Sequence, residues 1–90
     1  MKKKAIVLGG THDHIELLKN LKKRNFYTLL IDYNSNPPAK KYADKFFNES
    51  TLDKSVVLNI AKKESVKLVI ATCVDQALLT MAYVSEKLNV

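Results

Sequence analysis

The sequence predicts an α/β fold, a three-layer α/β/α domain built on a four-stranded parallel sheet with strand order 3-2-1-4. Short apolar runs alternate along the chain with segments whose apolar residues recur every three or four positions, as in amphipathic helices. The apolar runs show no polar alternation, which is typical of parallel strands covered by helices on both faces. Right-handed crossovers favour the order 3-2-1-4, in which the order of strands reverses between the first and the fourth.

The four predicted strands are apolar or β-prone runs that end in turn-forming residues. The first run ends at Gly9-Gly10, and the second ends at Asp32. The loop that follows Asp32 is rich in Asn, Ser and Pro, which favour turns. The predicted strands are residues 5–8, 27–31, 45–48 and 67–71.

The three predicted helices have start and stop signals around an apolar face. The first helix covers about residues 13–24, and Asn25 suits its end. Ser50 and Asp53 fit the Ser-x-x-acid start of a second helix that ends near Ser65. Residues 72–75 repeat this start signal before a third helix that ends near residue 88, and a short helical turn is expected around residues 39–43.

Composition excludes several classes of protein. Ninety residues, 47% of them hydrophobic, make one globular domain, residues 1–90. No apolar run approaches the ~20 residues of a membrane span, and the one cysteine, Cys73, forms no internal disulfide. We therefore expect a cytoplasmic protein without a membrane partner.

The net charge of +6 is unevenly distributed. Residues 1–45 carry ten basic and four acidic residues, whereas residues 46–90 carry five of each. The basic residues fall in three clumps, and no aromatic residues interleave with them as a base-stacking platform would require. We therefore interpret the excess as solvated surface and expect no nucleic acid partner, although a basic interaction module remains a competing hypothesis.

Ligands of such sheets bind beyond the carboxyl ends of the strands, where the strand order reverses. The segments that follow the first and fourth strands, residues 9–14 and 72–76, are therefore expected to meet there. Gly9-Gly10-Thr11 allows a tight turn and, ahead of a helix N-terminus, close approach of an anion. A plain tight turn is the alternative, because the later glycines of G-x-G-x-x-G are missing.

Five further side chains near this point each have a functional and a structural interpretation. Asp32 could bind ribose hydroxyls or cap the next turn. His12 and His14 could face the crevice or lie in solvent, and their spacing of two disfavours a shared metal. Asp75 could start the third helix and also face the crevice. Cys73 is better explained as a packed thiol than as a nucleophile.

Several longer stretches together resemble the N-terminal, Rossmann-like domain of ATP-grasp enzymes, in the carbamoyl-phosphate-synthase-like, carboxylate–amine ligase branch. The most specific part is the strand-end Asp32-Tyr33-Asn34 with its two prolines and the following Lys41-Tyr42-Ala43-Asp44. The resemblance covers the whole chain, in residues 4–10, 30–44, 68–71, 75 and 82–88.

The resemblance implies a role for this domain in a larger ligase. Such enzymes activate a carboxylate with ATP and Mg²⁺, and an amine then attacks it. ATP and Mg²⁺ are expected in an ATP-grasp module that is absent from this chain and present in cis or as a separate subunit. The chain itself is expected to hold no cofactor or metal and to be inactive alone. We also allow for a homodimer.

By position, the resemblance assigns the substrate contacts to the loops after the first and fourth strands. The substrate would be a small carboxylate or amine, and a freestanding Rossmann-like nucleotide- or small-ligand-binding module is the alternative. The sequence assigns no catalytic residue. The implied substrate-binding residues are Gly9, Gly10, Thr11, His12, Cys73, Val74, Asp75 and Gln76.

Overall fold

The structure is a computed structural model that describes residues 2–71 and 75–89, with the backbone alone for Asp75 and Gln76. Four strands and three helices alternate along the chain, with a 3₁₀ turn in the longest loop. The elements in order are β1 Lys3–Leu8, α1 Asp13–Lys23, β2 Phe26–Ile31, the 3₁₀ turn Lys40–Tyr42, β3 Lys45–Phe47, α2 Lys54–Glu64, β4 Leu68–Ala71 and α3 Asp75–Leu88.

The sheet confirms the predicted fold class. All three pairings, β1 with β2, β1 with β4 and β2 with β3, are parallel, and the strand order is β3-β2-β1-β4. Parallel strands need crossover connections, and the helices supply them on both faces of the sheet. The strand order reverses between β1 and β4, as the sequence predicts.

Two apolar cores lie on the two faces of the sheet, because successive strand residues point to opposite faces. Ile6 and Leu8 of β1 belong to the core that includes α2 and α3, whereas Ala5 and Val7 pack in the core with α1. In β4, Val69 and Ala71 are buried in the first of these cores. The face of the sheet under α1 has one helix and part of the loop after β2 as its cover.

The helix boundaries follow local chemistry, with one correction to the sequence interpretation. Asn25 ends α1 with a positive φ of 67°, as expected. Ser65 ends α2 in the left-handed conformation. α2 begins three residues later than the sequence predicts, because Asp53 and not Ser50 caps the helix. The carboxylate of Asp53 accepts a hydrogen bond from Val56 N–H at 3.2 Å. The Ser50 hydroxyl instead accepts from Leu52 N–H in the preceding turn.

Candidate functional site

The carboxyl edge of the sheet holds the expected site residues that the structure describes. β1 and β4 are neighbours, so the loop after β1 and the first residue of α3, Asp75, lie at the same edge. In the loop, Gly9 and Gly10 are buried, whereas Thr11 and His12 are exposed. Asp75 and Gln76 form the first turn of α3, and Cys73 and Val74 fall outside the described residues.

Gly9 is required by the backbone and by a neighbouring side chain. Its φ is +102°, a conformation that residues with a Cβ rarely adopt. A methyl group on Gly9 would also lie 3.2 Å from Cε1 of His14, whose ring packs against this glycine. The N–H of Gly9 donates to the carbonyl of Ile31 at 2.8 Å, which ties the loop to the end of β2.

Gly10 is required by packing from the other side. A methyl group here would lie 3.0 Å from Leu30 Cδ2 and 3.0 Å from both Cβ and Cγ of Pro37. The N–H of Gly10 donates to Oδ2 of Asp32 at 2.7 Å, and its carbonyl accepts from Ala39 N–H at 2.9 Å. The second glycine therefore serves the docking of the loop after β2, and its N–H is already bound to a carboxylate.

The carboxylate of Asp32 caps backbone N–H groups of the neighbouring loops, which is one of its two predicted roles. One carboxylate oxygen accepts from Gly10 N–H, and the other accepts from Asn34 N–H at 2.8 Å. The side-chain amide of Asn48 donates to the carbonyls of Asp32 and Tyr33, at 3.1 and 2.7 Å. Each oxygen of Asp32 thus accepts a backbone N–H, one from the loop after β1 and one from the loop after β2, which is the capping role that the sequence offers beside ribose binding.

His14 is a buried residue of the first turn of α1, a placement that neither sequence interpretation anticipates. Its side chain is inaccessible to solvent, and Nδ1 lies 3.1 Å from the backbone nitrogen of Thr11 and 2.9 Å from the Thr11 hydroxyl oxygen. Because a backbone N–H can only donate, Nδ1 is the acceptor of the bond from Thr11 N–H. The spacing of His14 with Leu18 and Leu21, on the buried stripe of α1, is the sequence signal that could have shown this.

His12 is the exposed histidine of the pair and precedes α1. Its side chain makes no capping hydrogen bond to the helix. Within residues 2–71 and 75–89, the backbone N–H groups of His12 and Asp13 donate to no acceptor. Thr11, His12 and these two N–H groups are therefore what the loop offers to a small molecule at the carboxyl edge.

Asp44 anchors the loop that covers Gly10, a role that no motif in the sequence indicates. Its Oδ2 accepts from both the N–H and the hydroxyl of the buried Thr28, at 2.8 and 3.1 Å. The N–H of Asp44 donates back to the Thr28 hydroxyl at 3.0 Å. These bonds hold the segment between β2 and β3 against the sheet, and with it Pro37.

The strongest electrostatic perturbation among the described residues lies at the opposite, amino edge of the sheet. Hydrogen bonds from Lys45 and Lys4 lower the pKa of Glu64 from 4.5 to about 2. The distances are 2.8 Å to Lys45 and 2.9 Å to Lys4, and the hydrogen bond to Glu64 raises the pKa of Lys45. This ion pair joins α2 to β1 and β3, so it is a structural tie between elements and lies away from the candidate site.

No group of three or more His, Cys, Asp or Glu residues within 2–71 and 75–89 could hold a metal ion. Over the same residues, no helix is long and apolar enough to cross a bilayer.

Solved structures share this fold over nearly the whole chain. The chain is similar to phosphoribosylglycinamide synthetase of Anaerococcus prevotii, with a TM-score of 0.83 and 20% identity, over 99% of this chain and 23% of that one. N5-carboxyaminoimidazole ribonucleotide synthetase of Thermotoga maritima gives a TM-score of 0.75 and 20% identity, over 94% and 23%. The fold thus matches the Rossmann-like N-terminal domain of ATP-grasp enzymes.

The same fold is also found in a different kind of enzyme. UDP-glucose 4-epimerase of Thermotoga maritima, solved with UDP-glucose, gives a TM-score of 0.77 and 14% identity, over 97% of this chain and 35% of that one. No family model matches the sequence, and no curated protein sequence matches it. At these identities the comparisons establish the fold, and the choice between functions depends on the loops.

Proposed function

We propose that this chain is the substrate-side N-terminal domain of an ATP-dependent carboxylate–amine ligase of the ATP-grasp type, and that it is not catalytic alone. The observation that carries the proposal is the match to phosphoribosylglycinamide synthetase, which includes 99% of this chain but 23% of that enzyme. In this proposal, ATP and Mg²⁺ bind to an ATP-grasp module in cis and activate the carboxylate. The proposed enzyme is cytoplasmic and carbamoyl-phosphate-synthase-like.

The glycine loop supports this proposal against the dinucleotide-binding alternative. A dinucleotide domain presents free N–H groups to a pyrophosphate and a free acid to the ribose. Here Gly10 N–H and Asp32 bind each other, and Thr11 N–H is bound to His14. Pro37 also packs directly against Gly10, where the second glycine of the fingerprint would let a pyrophosphate approach. A pyrophosphate would have to break these contacts before it could bind.

The residues that remain accessible suit a smaller ligand at the carboxyl edge. Thr11 and His12 are exposed, and the start of α3 at Asp75 lies at the same edge. We assign Thr11, His12, Asp75 and Gln76 to one wall of a substrate cleft, whose other wall is the ATP-grasp module. The N–H groups at the start of α1 would favour a carboxylate, and the Asp75 carboxylate would favour an amine.

The test uses the natural gene product that includes these 90 residues. Its ATP-dependent ligation of small carboxylates and amines is measured by ADP release across a panel of pairs. In the active pair, Asp75→Ala and His12→Ala should each lower kcat/KM for the non-nucleotide substrate about tenfold or more, with KM for ATP nearly unchanged.

The matched control is Lys63→Ala, because Lys63 is exposed near the end of α2 at the opposite edge of the sheet. This variant should keep the activity of the natural protein. An equal loss of ATP affinity in the Asp75 and His12 variants would contradict the assignment of these residues to the substrate wall. A gene product without any ATP-dependent ligation would contradict the proposed function itself.

A further inference from the structure

Thr11 has an exposed side chain whose hydroxyl faces a hydrogen-bond acceptor inside the domain. Its Oγ1 lies 2.9 Å from Nδ1 of His14, and the backbone N–H of the same threonine donates to Nδ1 at 3.1 Å. Because Nδ1 accepts the backbone N–H, that nitrogen carries no proton. An oxygen at 2.9 Å from an unprotonated nitrogen needs a hydrogen between the two atoms, and the hydroxyl is its source. The Thr11 hydroxyl therefore donates to His14.

This bond determines what the Thr11 hydroxyl offers to a ligand. A threonine hydroxyl has one proton and two acceptor lone pairs, and a free one rotates so that it can donate or accept. With its proton directed at His14, the oxygen of Thr11 presents only lone pairs to the carboxyl edge of the sheet. A ligand group that contacts this oxygen must therefore be a hydrogen-bond donor.

Burial of His14 keeps this polarity fixed. The side chain is fully buried, and its ring packs so closely against Gly9 that a Cβ there would lie 3.2 Å from Cε1. Gly9 is itself tied to β2 by the hydrogen bond from its N–H to the carbonyl of Ile31. A ring enclosed in this way stays beside Thr11, because protein interiors are close-packed. The buried histidine thus has a consequence at the surface of the domain.

We propose that the Thr11 hydroxyl accepts a hydrogen bond from the N–H of a neutral amine, so that this domain holds the nucleophilic substrate of the ligation. His14 is the positioning residue that makes Thr11 an acceptor. The inference rests on the proposed function, because it assumes that a carboxylate and an amine are joined. It selects the amine from the two substrate classes that the sequence leaves open for this wall of the cleft.

An acceptor is the partner that keeps an amine reactive. A hydroxyl that donated to the nitrogen would occupy the lone pair with which the amine attacks, whereas one that accepts an N–H leaves that lone pair free. In the ligation, the lone pair forms the C–N bond to the carbonyl carbon of the phosphorylated carboxylate. The C–O bond to phosphate breaks, and the phosphate leaves with that electron pair and takes one proton from the nitrogen. Thr11 exchanges no proton in this step.

The protonation of the His14 ring is measured on the wild-type 90-residue chain, labelled with ¹⁵N. A long-range ¹H–¹⁵N correlation spectrum distinguishes a ring nitrogen that carries a proton from one that does not. We expect Nδ1 of His14 to carry none, and the exposed ring of His12 provides the reference signal. A proton on Nδ1 would overturn the proposal, because the ring would then donate and the Thr11 hydroxyl proton could face the ligand.

Steady-state kinetics of the natural gene product test the contact with the amine. Thr11→Val keeps the shape of the side chain but removes the hydroxyl. It should raise KM for the amine about tenfold or more, with KM for the carboxylate and for ATP nearly unchanged. Thr11→Ser restores the hydroxyl and should bring KM for the amine to within about threefold of the wild-type value. The matched control is Thr51→Val in the turn before α2, which should leave all three KM values unchanged.

The two measurements separate this inference from the proposed function. Ligation whose KM for the amine is unaffected by Thr11→Val, or whose KM for the carboxylate rises instead, would overturn the inference and leave the proposed function standing. A gene product without ligation would reject the proposed function and the amine contact together. The spectrum uses the wild-type chain, so its result does not depend on the folding of any variant.

Discussion

The glycine loop after β1 and the apolar groove beside β4, which we call the β4 groove, differ in how completely neighbouring residues cover their polar and apolar groups. The groove is lined by Leu17, Asn20, Leu21, Arg24, Phe26, Leu68 and Ile70. In the loop, the N–H groups of Gly9, Gly10 and Thr11 all have acceptors within the domain. In the groove, Leu68 and Ile70 are only partly buried. The sequence indicates this loop as a ligand site, yet the N–H groups of its two glycines are already paired with neighbours inside the domain.

The glycine pair after β1 and the apolar run of β4 are both conspicuous in the sequence, but for different reasons. The glycines are needed because His14 and Pro37 pack where a Cβ would stand. The apolar run of β4 is only partly explained by the domain, because its α1 face is left open. The first feature is accounted for by the domain itself, and the second leaves two apolar side chains only partly covered. Substitutions in the two regions should therefore differ in how much they lower the free energy of unfolding.

The largest expected effect compares two isoleucines on neighbouring strands. Ile6 is fully buried in β1, whereas Ile70 in β4 is half-buried. Ile6→Ala should lower the free energy of unfolding of the 90-residue chain by about 3–5 kcal/mol, and Ile70→Ala by about 1–2 kcal/mol. Urea denaturation of both variants gives the two values. Equal losses would mean that the β4 groove is already filled within this chain.

The next effect tests how tightly the loop is packed. Gly10→Ala adds one methyl group at 3.0 Å from Leu30 and Pro37, and it should cost about 1–3 kcal/mol of unfolding free energy. Gly9→Ala should cost a similar amount, since it combines a φ of +102° with contact to His14. The denaturation midpoints should fall for both variants. A neutral Gly10→Ala would show that the loop after β2 can move away, as a ligand-binding loop would.

The closed loop also depends on the hydrogen bond that Thr11 N–H donates to His14. His14→Phe keeps a ring in the buried position but leaves that N–H without its acceptor, so it should cost about 1–2 kcal/mol. His12→Ala is the matched control, because His12 is exposed and makes no side-chain capping bond. It should change stability by less than about 0.5 kcal/mol. A larger loss in the control than in His14→Phe would contradict the structural assignment of the two histidines.

The smallest effect lies at the amino edge, where both lysines that bind Glu64 are partly exposed. Glu64→Gln should lower stability by about 1 kcal/mol at neutral pH. Because folding lowers the pKa of Glu64 from 4.5 to about 2, the wild-type advantage should be complete above pH 4.5 and disappear as the pH falls through 2. Unfolding curves from pH 7 to pH 2 measure this, with the exposed Glu86→Gln as a flat control. An advantage that grows on acidification would contradict the assignment.

Much of the fold was predictable because periodicity and turn residues act locally. The alternation of apolar runs with helical faces specified four parallel strands and their order, and Asn25 marked the end of α1 correctly. The predicted start of α2 at Ser50 is wrong. Ser50 and Asp53 both suit a helix cap, and only tertiary packing decides between them.

The candidate site was less predictable, because its contacts join residues distant in sequence. The bond from Gly10 to Asp32 spans 22 residues, and Pro37 reaches Gly10 from the loop after β2. A sequence does not distinguish a glycine that is needed because a neighbouring side chain leaves no room for a Cβ from one that lets a phosphate approach the backbone. Likewise, the apolar run of β4 resembles that of β1, although one strand is at the edge and the other is central.

The proposed function requires that the N–H groups of Gly10 and Thr11 are occupied from within the domain and that the domain alone binds no nucleotide. The most direct test is calorimetric titration of the 90-residue chain with NAD⁺ and, separately, with ATP. We expect no saturable heat up to millimolar ligand, because Gly10 N–H, Thr11 N–H and Asp32 are already paired. Saturable binding of either nucleotide with a micromolar Kd, abolished by Asp32→Ala, would contradict the account.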